Sequence, residues 1–135
     1  MNYLLDTNVI SYVVDKRTRA LSRFNRIRPE DNLYSSAITE GELLYGVANA
    51  PLARQNDLLA EISGVLADLA GVVPVDRSAA NEYGNIKYHL KVTGQPLPDN
   101  DTWIAAVAMA NDYTLVSHDA AFTRIPGLKL EDWLA

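Results

Sequence analysis

The chain has 135 residues, of which 48% are hydrophobic and 21% charged, enough for one globular domain over residues 1–135. The absence of cysteine excludes disulfides, thiolate metal sites and cysteine nucleophiles, and it suits the reducing cytoplasm in which we expect the protein. No apolar stretch reaches the roughly 20 residues of a membrane span, and the net charge of −5 argues on its face against a nucleic-acid partner.

Short apolar runs alternate along the chain with longer segments of helical pattern. The predicted elements are, in chain order, strand 2–5, helix 8–14, helix 18–27, strand 33–36, helix 39–48, helix 52–70, strand 72–75, helix 78–92, helix 101–111, strand 113–117, a short helical turn and strand 128–130. Strands that alternate with helices predict an α/β fold, with a mostly parallel sheet and helices on both of its faces. Pro74 predicts that strand 72–75 lies at a sheet edge or ends there.

Acidic residues follow the predicted strands or begin the helices after them. Asp6 ends the first apolar run, and Asp119 directly follows strand 113–117. Glu42 lies in the helix after the second strand, and Asp101 starts an Ala-rich helix. Because the residues after parallel strands gather along one edge of the sheet, we expect these four carboxylates to lie close together.

Each acid also has a purely structural interpretation. Asp6 is a good helix cap, although Thr7 and Asn8 can serve instead. The segment from Thr39 to Glu42 fits a capping box, in which the Glu reaches back to the backbone of the cap residue. For Glu42 this interpretation stands as an equal alternative.

Capping accounts equally well for the later acids, taken one at a time. It explains either Asp99 or Asp101, but less readily both, and Asp119 can cap the turn after it.

Four such acids are harder to explain separately. Carboxylates without cysteine suit Mg²⁺ or Mn²⁺ rather than zinc. A bound cation of this kind activates water and stabilises charge on phosphate oxygens, which indicates hydrolysis of phosphodiesters.

Six of the 12 basic residues lie within one short segment that contains no Asp or Glu. They are Lys16, Arg17, Arg19, Arg23, Arg26 and Arg28. On this feature alone a solvated helix face is the favoured interpretation, and a patch that contacts phosphates is the alternative.

Four motifs in order resemble those of the PIN domain, and within it the VapC toxins of toxin–antitoxin pairs. They are Asp6-Thr7-Asn8 after an apolar strand, Glu42-Leu-Leu-Tyr-Gly46, Asp101-x-x-Ile-Ala-Ala106 and Leu115-Val-Ser-His-Asp119. The resemblance spans nearly the whole chain, including Gly127-Leu-x-x-Glu-Asp-Trp133. Asp99 is an extra acid, Ser117-His118 replaces a commoner Thr-Asn pair, and Trp103 is unusual at its place, where we interpret it as core or dimer surface.

The resemblance implies an α/β/α sandwich with the activity of an Mg²⁺- or Mn²⁺-dependent endoribonuclease. It also implies a homodimer and inhibition by a cognate antitoxin. Asp6, Glu42, Asp101 and Asp119 match the acidic quartet of the family, Asp101 being preferred to Asp99 because of the Ile-Ala-Ala that follows. An RNA substrate shifts the interpretation of the basic segment towards RNA contact, with these candidates: Arg19, Arg23 and Arg26.

In the resulting hypothesis, Asp6 and Asp101 hold the principal ion and Glu42 completes its shell. Asp119 orients a water molecule or helps to bind a second ion, and the activated water attacks an RNA phosphate.

Three other kinds of protein are alternatives. A receiver-like phosphoacceptor domain requires adjacent acids after the first strand, and a haloacid-dehalogenase-type phosphatase requires Asp where Asn8 stands. A non-catalytic module of the same fold is the third, and the four intact acids argue against it.

Overall fold

A parallel sheet forms the centre of the computed structural model, which describes residues 1–16 and 18–134. Its strands are β1 (Asn2–Leu5), β2 (Asn32–Ser36), β3 (Gly71–Val73), β4 (Thr114–Val116) and β5 (Leu130–Glu131). Their order is β3-β2-β1-β4-β5, and every neighbouring pair is parallel. All carboxyl ends of these strands therefore point to one edge, as the sequence predicted.

Six α-helices and a 3₁₀ turn cover the sheet in the described residues. They are α1 (Thr7–Val14), α2 (Thr18–Asn25), α3 (Ala37–Ala48), α4 (Leu52–Ala67), α5 (Arg77–Val92), α6 (Asp99–Ala110) and the turn Ala120–Arg124. No helix in this part of the chain is long and apolar enough to cross a membrane.

Alternation of side chains along the strands builds two cores. Leu4 and Leu115 pack with α5 and α6 on one face of the sheet. Leu5 and Val116, one residue further along each strand, pack on the other face with α1, α3 and α4. Strands β1 and β4 are thus apolar on both sides, as parallel strands between two helical layers must be. The predicted three-layer sandwich is confirmed.

Several element boundaries differ from the predicted ones for local reasons. The helix predicted over 52–70 ends at Ala67, because the chain turns there and the Ala70 N–H donates to the Leu33 carbonyl at 2.7 Å. Gly71 accordingly begins β3 instead of merely stopping a helix. The strand is an edge strand and Pro74 follows it directly, as predicted.

Candidate functional site

Asp6 lies at the exit of β1 and is only 4% exposed. Its backbone N–H donates to the Val116 carbonyl at 2.9 Å, which joins the exits of β1 and β4. One carboxylate oxygen accepts from the Thr7 N–H at 2.8 Å, and the other accepts from the Ser117 hydroxyl at 2.8 Å. Asp6 is therefore the cap of α1, as one interpretation of the sequence had it, and neither Thr7 nor Asn8 takes that place.

Glu42 does not take part in the capping box that the sequence allowed. Helix α3 begins at Ala37, and its cap is Ser36, whose hydroxyl accepts from the Thr39 N–H at 3.1 Å. Instead, a Glu42 carboxylate oxygen accepts from the Thr7 hydroxyl at 2.7 Å. The Thr39 hydroxyl lies 3.0 Å from that of Thr7, and it donates to it because the single Thr7 proton already goes to Glu42. A pair of hydroxyls thus orients Glu42 towards the β1 exit.

Ser117 connects two of the acids at the exit of β4. While its hydroxyl donates to Asp6, the same oxygen accepts from the Asp119 N–H at 3.0 Å. A carboxylate oxygen of Asp119 accepts from the Ala121 N–H at 2.9 Å, so Asp119 caps the 3₁₀ turn as one interpretation expected. Ser117 is 2% exposed, and its own N–H donates to the Glu131 carbonyl of β5 at 3.0 Å. The hydroxyls of Thr7 and Ser117 are site features that sequence reasoning missed.

Asp101 faces the other three acids from the first turn of α6, where it is half-buried. Burial raises its pKa to about 6, and the negative charges of Asp6, Asp119 and Glu42 add to that effect. Burial likewise raises the pKa of Asp6, although the hydrogen bonds from Ser117 and Thr7 oppose it. The structure therefore brings all four predicted acids into one mutually repelling cluster.

The donor set of this cluster fits a hard cation. Its ligands are carboxylates only, and within residues 1–16 and 18–134 no side chain donates a hydrogen bond to Asp101. As placed, no three His, Cys, Asp or Glu side chains of those residues are close enough to hold one ion. Holding one ion between three of these carboxylates would therefore require the side chains to move closer together.

Asp99, the extra acid, points away from this cluster. It accepts from the Tyr83 hydroxyl at 2.9 Å and from the Lys87 ammonium at 2.8 Å, and these bonds lower its pKa. Tyr83 in turn stacks on Trp103, with ring centroids 3.9 Å apart. Asp99 and Trp103 thus hold α6 against α5. This geometry agrees with the preference for Asp101 over Asp99 at the site.

Two of the three predicted RNA-contact arginines already have partners in the C-terminal segment. Arg19 donates to the Leu134 carbonyl at 2.9 Å, and Arg23 donates to the Glu131 carboxylate at 2.6 Å. The guanidinium of Arg23 also lies 5.3 Å from the centre of the Trp133 ring. Arg26 is exposed, with no side-chain partner in the described residues. Arg17 lies outside those residues.

Comparison with known proteins gives consistent relatives. The family model of the PIN domain matches residues 3–128. Ribonuclease VapC1 of Haemophilus influenzae strain R2866 is 32% identical over 135 residues, which is 98% of each chain. The tRNA(fMet)-specific endonuclease VapC of Shigella flexneri is 29% identical, again over 98% of each chain.

Solved structures agree in fold. VapBC2 from Rickettsia felis, bound to a DNA fragment from its promoter, superposes with a TM-score of 0.91 at 28% identity over 98% of this chain and 99% of that one. VapBC-1 from nontypeable Haemophilus influenzae superposes with a TM-score of 0.88 at 30% identity, over 100% of both chains. The family match excludes the receiver-like and dehalogenase-type alternatives and confirms the resemblance seen in the motifs. The chain belongs to the PIN domain family, and its relatives there include VapC ribonucleases.

Proposed function

We propose that the protein is a metal-dependent endoribonuclease of the VapC type, the toxin of a toxin–antitoxin pair. The observation that carries the proposal is the cluster of four carboxylates, in which burial, with repulsion from the other three, raises the pKa of Asp101 to about 6. A protein retains so unfavourable an arrangement where a ligand compensates for it. The names of its relatives, which are ribonucleases, supply the reaction class.

Asp6 and Asp101 would hold the principal cation, with Glu42 and Asp119 completing its surroundings. When bound, Mg²⁺ or Mn²⁺ supplies Lewis-acid stabilisation of phosphate charge and a more acidic water. The chain itself supplies orientation: Ser117 fixes Asp6 relative to Asp119, and Thr7 fixes Glu42.

Cleavage of RNA should require Mg²⁺ or Mn²⁺ and stop when EDTA removes them. Since water rather than the ribose 2′-hydroxyl is the proposed nucleophile, the products should carry a 5′-phosphate and a 3′-hydroxyl. Cleavage assays of an RNA panel with and without EDTA measure the metal requirement, and mass spectrometry of the products identifies their end groups. A 2′,3′-cyclic phosphate, or full activity in EDTA, would contradict the proposal, and a chain that binds the metal but cleaves nothing would support the non-catalytic alternative.

A cognate antitoxin is the proposed protein partner, because the solved relatives include VapBC complexes. We also propose a homodimer, as the family resemblance implies. Light scattering of the purified chain tests the dimer, and co-expression with any small protein found to be encoded beside it tests the antitoxin.

Arg26 is the sharpest test of RNA contact in the basic segment, because its replacement breaks no side-chain bond within residues 1–16 and 18–134. Arg26→Ala should weaken RNA binding and lower the slope of log affinity against log salt by about 0.7, the value for one phosphate contact on a single strand. Arg19→Ala and Arg23→Ala should weaken binding too, but each also releases the C-terminal segment.

The matched control is Lys129→Ala, which removes an equal charge that pairs with Asp112. Anisotropy titrations of labelled RNA at several salt concentrations give both quantities. If Arg26→Ala and Lys129→Ala have the same slope, the basic segment is a solvated helix face.

A further inference from the structure

An open cleft of about 620 Å³ lies directly beside the acidic cluster. Glu42 belongs to both, and Thr7, whose hydroxyl donates to Glu42, also lines the cleft. The cleft continues along α3 to Tyr45 and across to Asn100 in the first turn of α6. Its volume lies in the range of small-molecule sites. A group bound there would therefore be next to any phosphate held at the carboxylates.

Among the described residues that line the cleft, Glu42 alone is charged. The other described lining residues are apolar, hydroxyl, amide or aromatic, so they offer no cation with which to attract a phosphate. Tyr45 lies one turn beyond Glu42 on the same face of α3, and it is 71% exposed, although a Tyr ring gains by being covered. In the described residues neither its hydroxyl nor the Asn100 amide has a side-chain partner.

We propose that this cleft binds a nucleobase of the RNA substrate, with the Tyr45 ring as its stacking surface and the Asn100 amide as a hydrogen-bonding group for its edge. Every base has a flat face that stacks on an aromatic ring, and an amide both donates and accepts. The inference rests on the proposed ribonuclease function and deepens it, since a base held here selects which phosphate reaches the carboxylates. Single-stranded RNA is the form whose bases are free to enter.

Gly41 offers an independent way to close the cleft. It lines the cleft, and a Cβ added to it would meet nothing within 4 Å, so a larger side chain extends into open space without a clash at its root. Gly64 of α4 has equally open surroundings outside the cleft. Gly41→Leu and Gly64→Leu are thus a matched pair, one blocking the cleft and one not.

The test uses the full chain with Ca²⁺ and a single-stranded RNA that contains 2-aminopurine, whose fluorescence falls on stacking. Tyr45→Ala and Gly41→Leu should weaken RNA binding about tenfold and abolish the quenching, whereas Tyr45→Phe should keep both. Tyr88 is 67% exposed on α5, so Tyr88→Ala is the control for Tyr45→Ala. Asn100→Ala should broaden the choice of cleavage sites in an RNA pool with Mg²⁺.

The outcomes separate this inference from the proposed function. Stacking by a wild-type chain that cleaves no RNA would support the cleft and contradict the ribonuclease. Cleavage and binding that are the same in Tyr45→Ala and Tyr88→Ala would leave the ribonuclease standing and overturn the cleft. Weaker association of Tyr45→Ala with the antitoxin, at unchanged RNA affinity, would also overturn it, by assigning the tyrosine to a protein partner.

Discussion

Replacing Asp6 with Asn should reduce the rate of RNA cleavage by about 100-fold or more, because loss of even a residue that only supports a metal ligand costs about 10- to 100-fold. The fold should survive. An amide at this position still accepts from the Thr7 N–H as the cap of α1, and its NH₂ donates to the Ser117 hydroxyl. Cleavage kinetics in saturating Mg²⁺, with circular dichroism of the same samples, measure the two effects.

Asp99→Asn is the matched control for Asp6→Asn. The two changes are chemically identical, but Asp99 is exposed and pairs with Lys87 outside the cluster. Its replacement should leave cleavage within a few-fold of wild type. An Asp6→Asn chain as active as Asp99→Asn would refute the role of Asp6. If Asp6→Asn does not fold, Asp101→Asn replaces it in the same test.

In the absence of divalent ions, the contribution of Asp101 should make the protein less stable as the pH rises from about 4 to about 6. The pKa of Asp101 is about 6 in the folded chain against a usual value of 3.8, so the folded state binds more protons than the unfolded state in this window. Ionising Asp101 therefore costs more in the folded chain. We expect a contribution of about 1 to 2 kcal/mol to the free energy of unfolding, after allowing for solvent screening.

Asp101→Asn should remove this contribution, so the free energy of unfolding of the variant should fall less over the same pH range than that of wild type. Urea unfolding in EDTA at the two ends of the range measures the difference. Asp99→Asn should leave the pH dependence over this range nearly unchanged, because the hydrogen bond from Lys87 lowers the pKa of Asp99 and its titration therefore lies below this range. Equal pH dependence of stability in wild type and Asp101→Asn would show that ionising Asp101 costs no more in the folded chain than in the unfolded chain.

The fold was predictable because its signals are local. Apolar runs of strand length, helical spacing between them and a proline at the edge strand are all contained in short windows. Boundaries were less accurate where a distant group decides them, as at Ala70, whose N–H bonds to Leu33 of another strand. Asp99 begins α6 two residues before the predicted start for a similar reason, since its side chain is held by α5.

The proximity of the four acids could be predicted from sequence because each follows a strand or lies in the first two turns of a helix, and parallel topology brings these places together. The hydroxyls that orient them could not. Thr7 and Glu42 are 35 residues apart, and Ser117 and Asp6 are 111 apart, so only the folded chain pairs them. The arginine contacts escaped prediction in the same way, since Arg23 and Glu131 are 108 residues apart.

The position of β5 has a consequence for synthesis. The Lys129 carbonyl accepts from the Leu115 N–H at 2.8 Å, and the Glu131 carbonyl accepts from the Ser117 N–H at 3.0 Å. A ribosome makes these carbonyls after all four carboxylates of the cluster. A nascent chain that stops before residue 129 therefore carries every acid of the site while β4, which leads to Ser117, has its β1 neighbour but not yet β5, so the order of translation delays completion of this edge of the site.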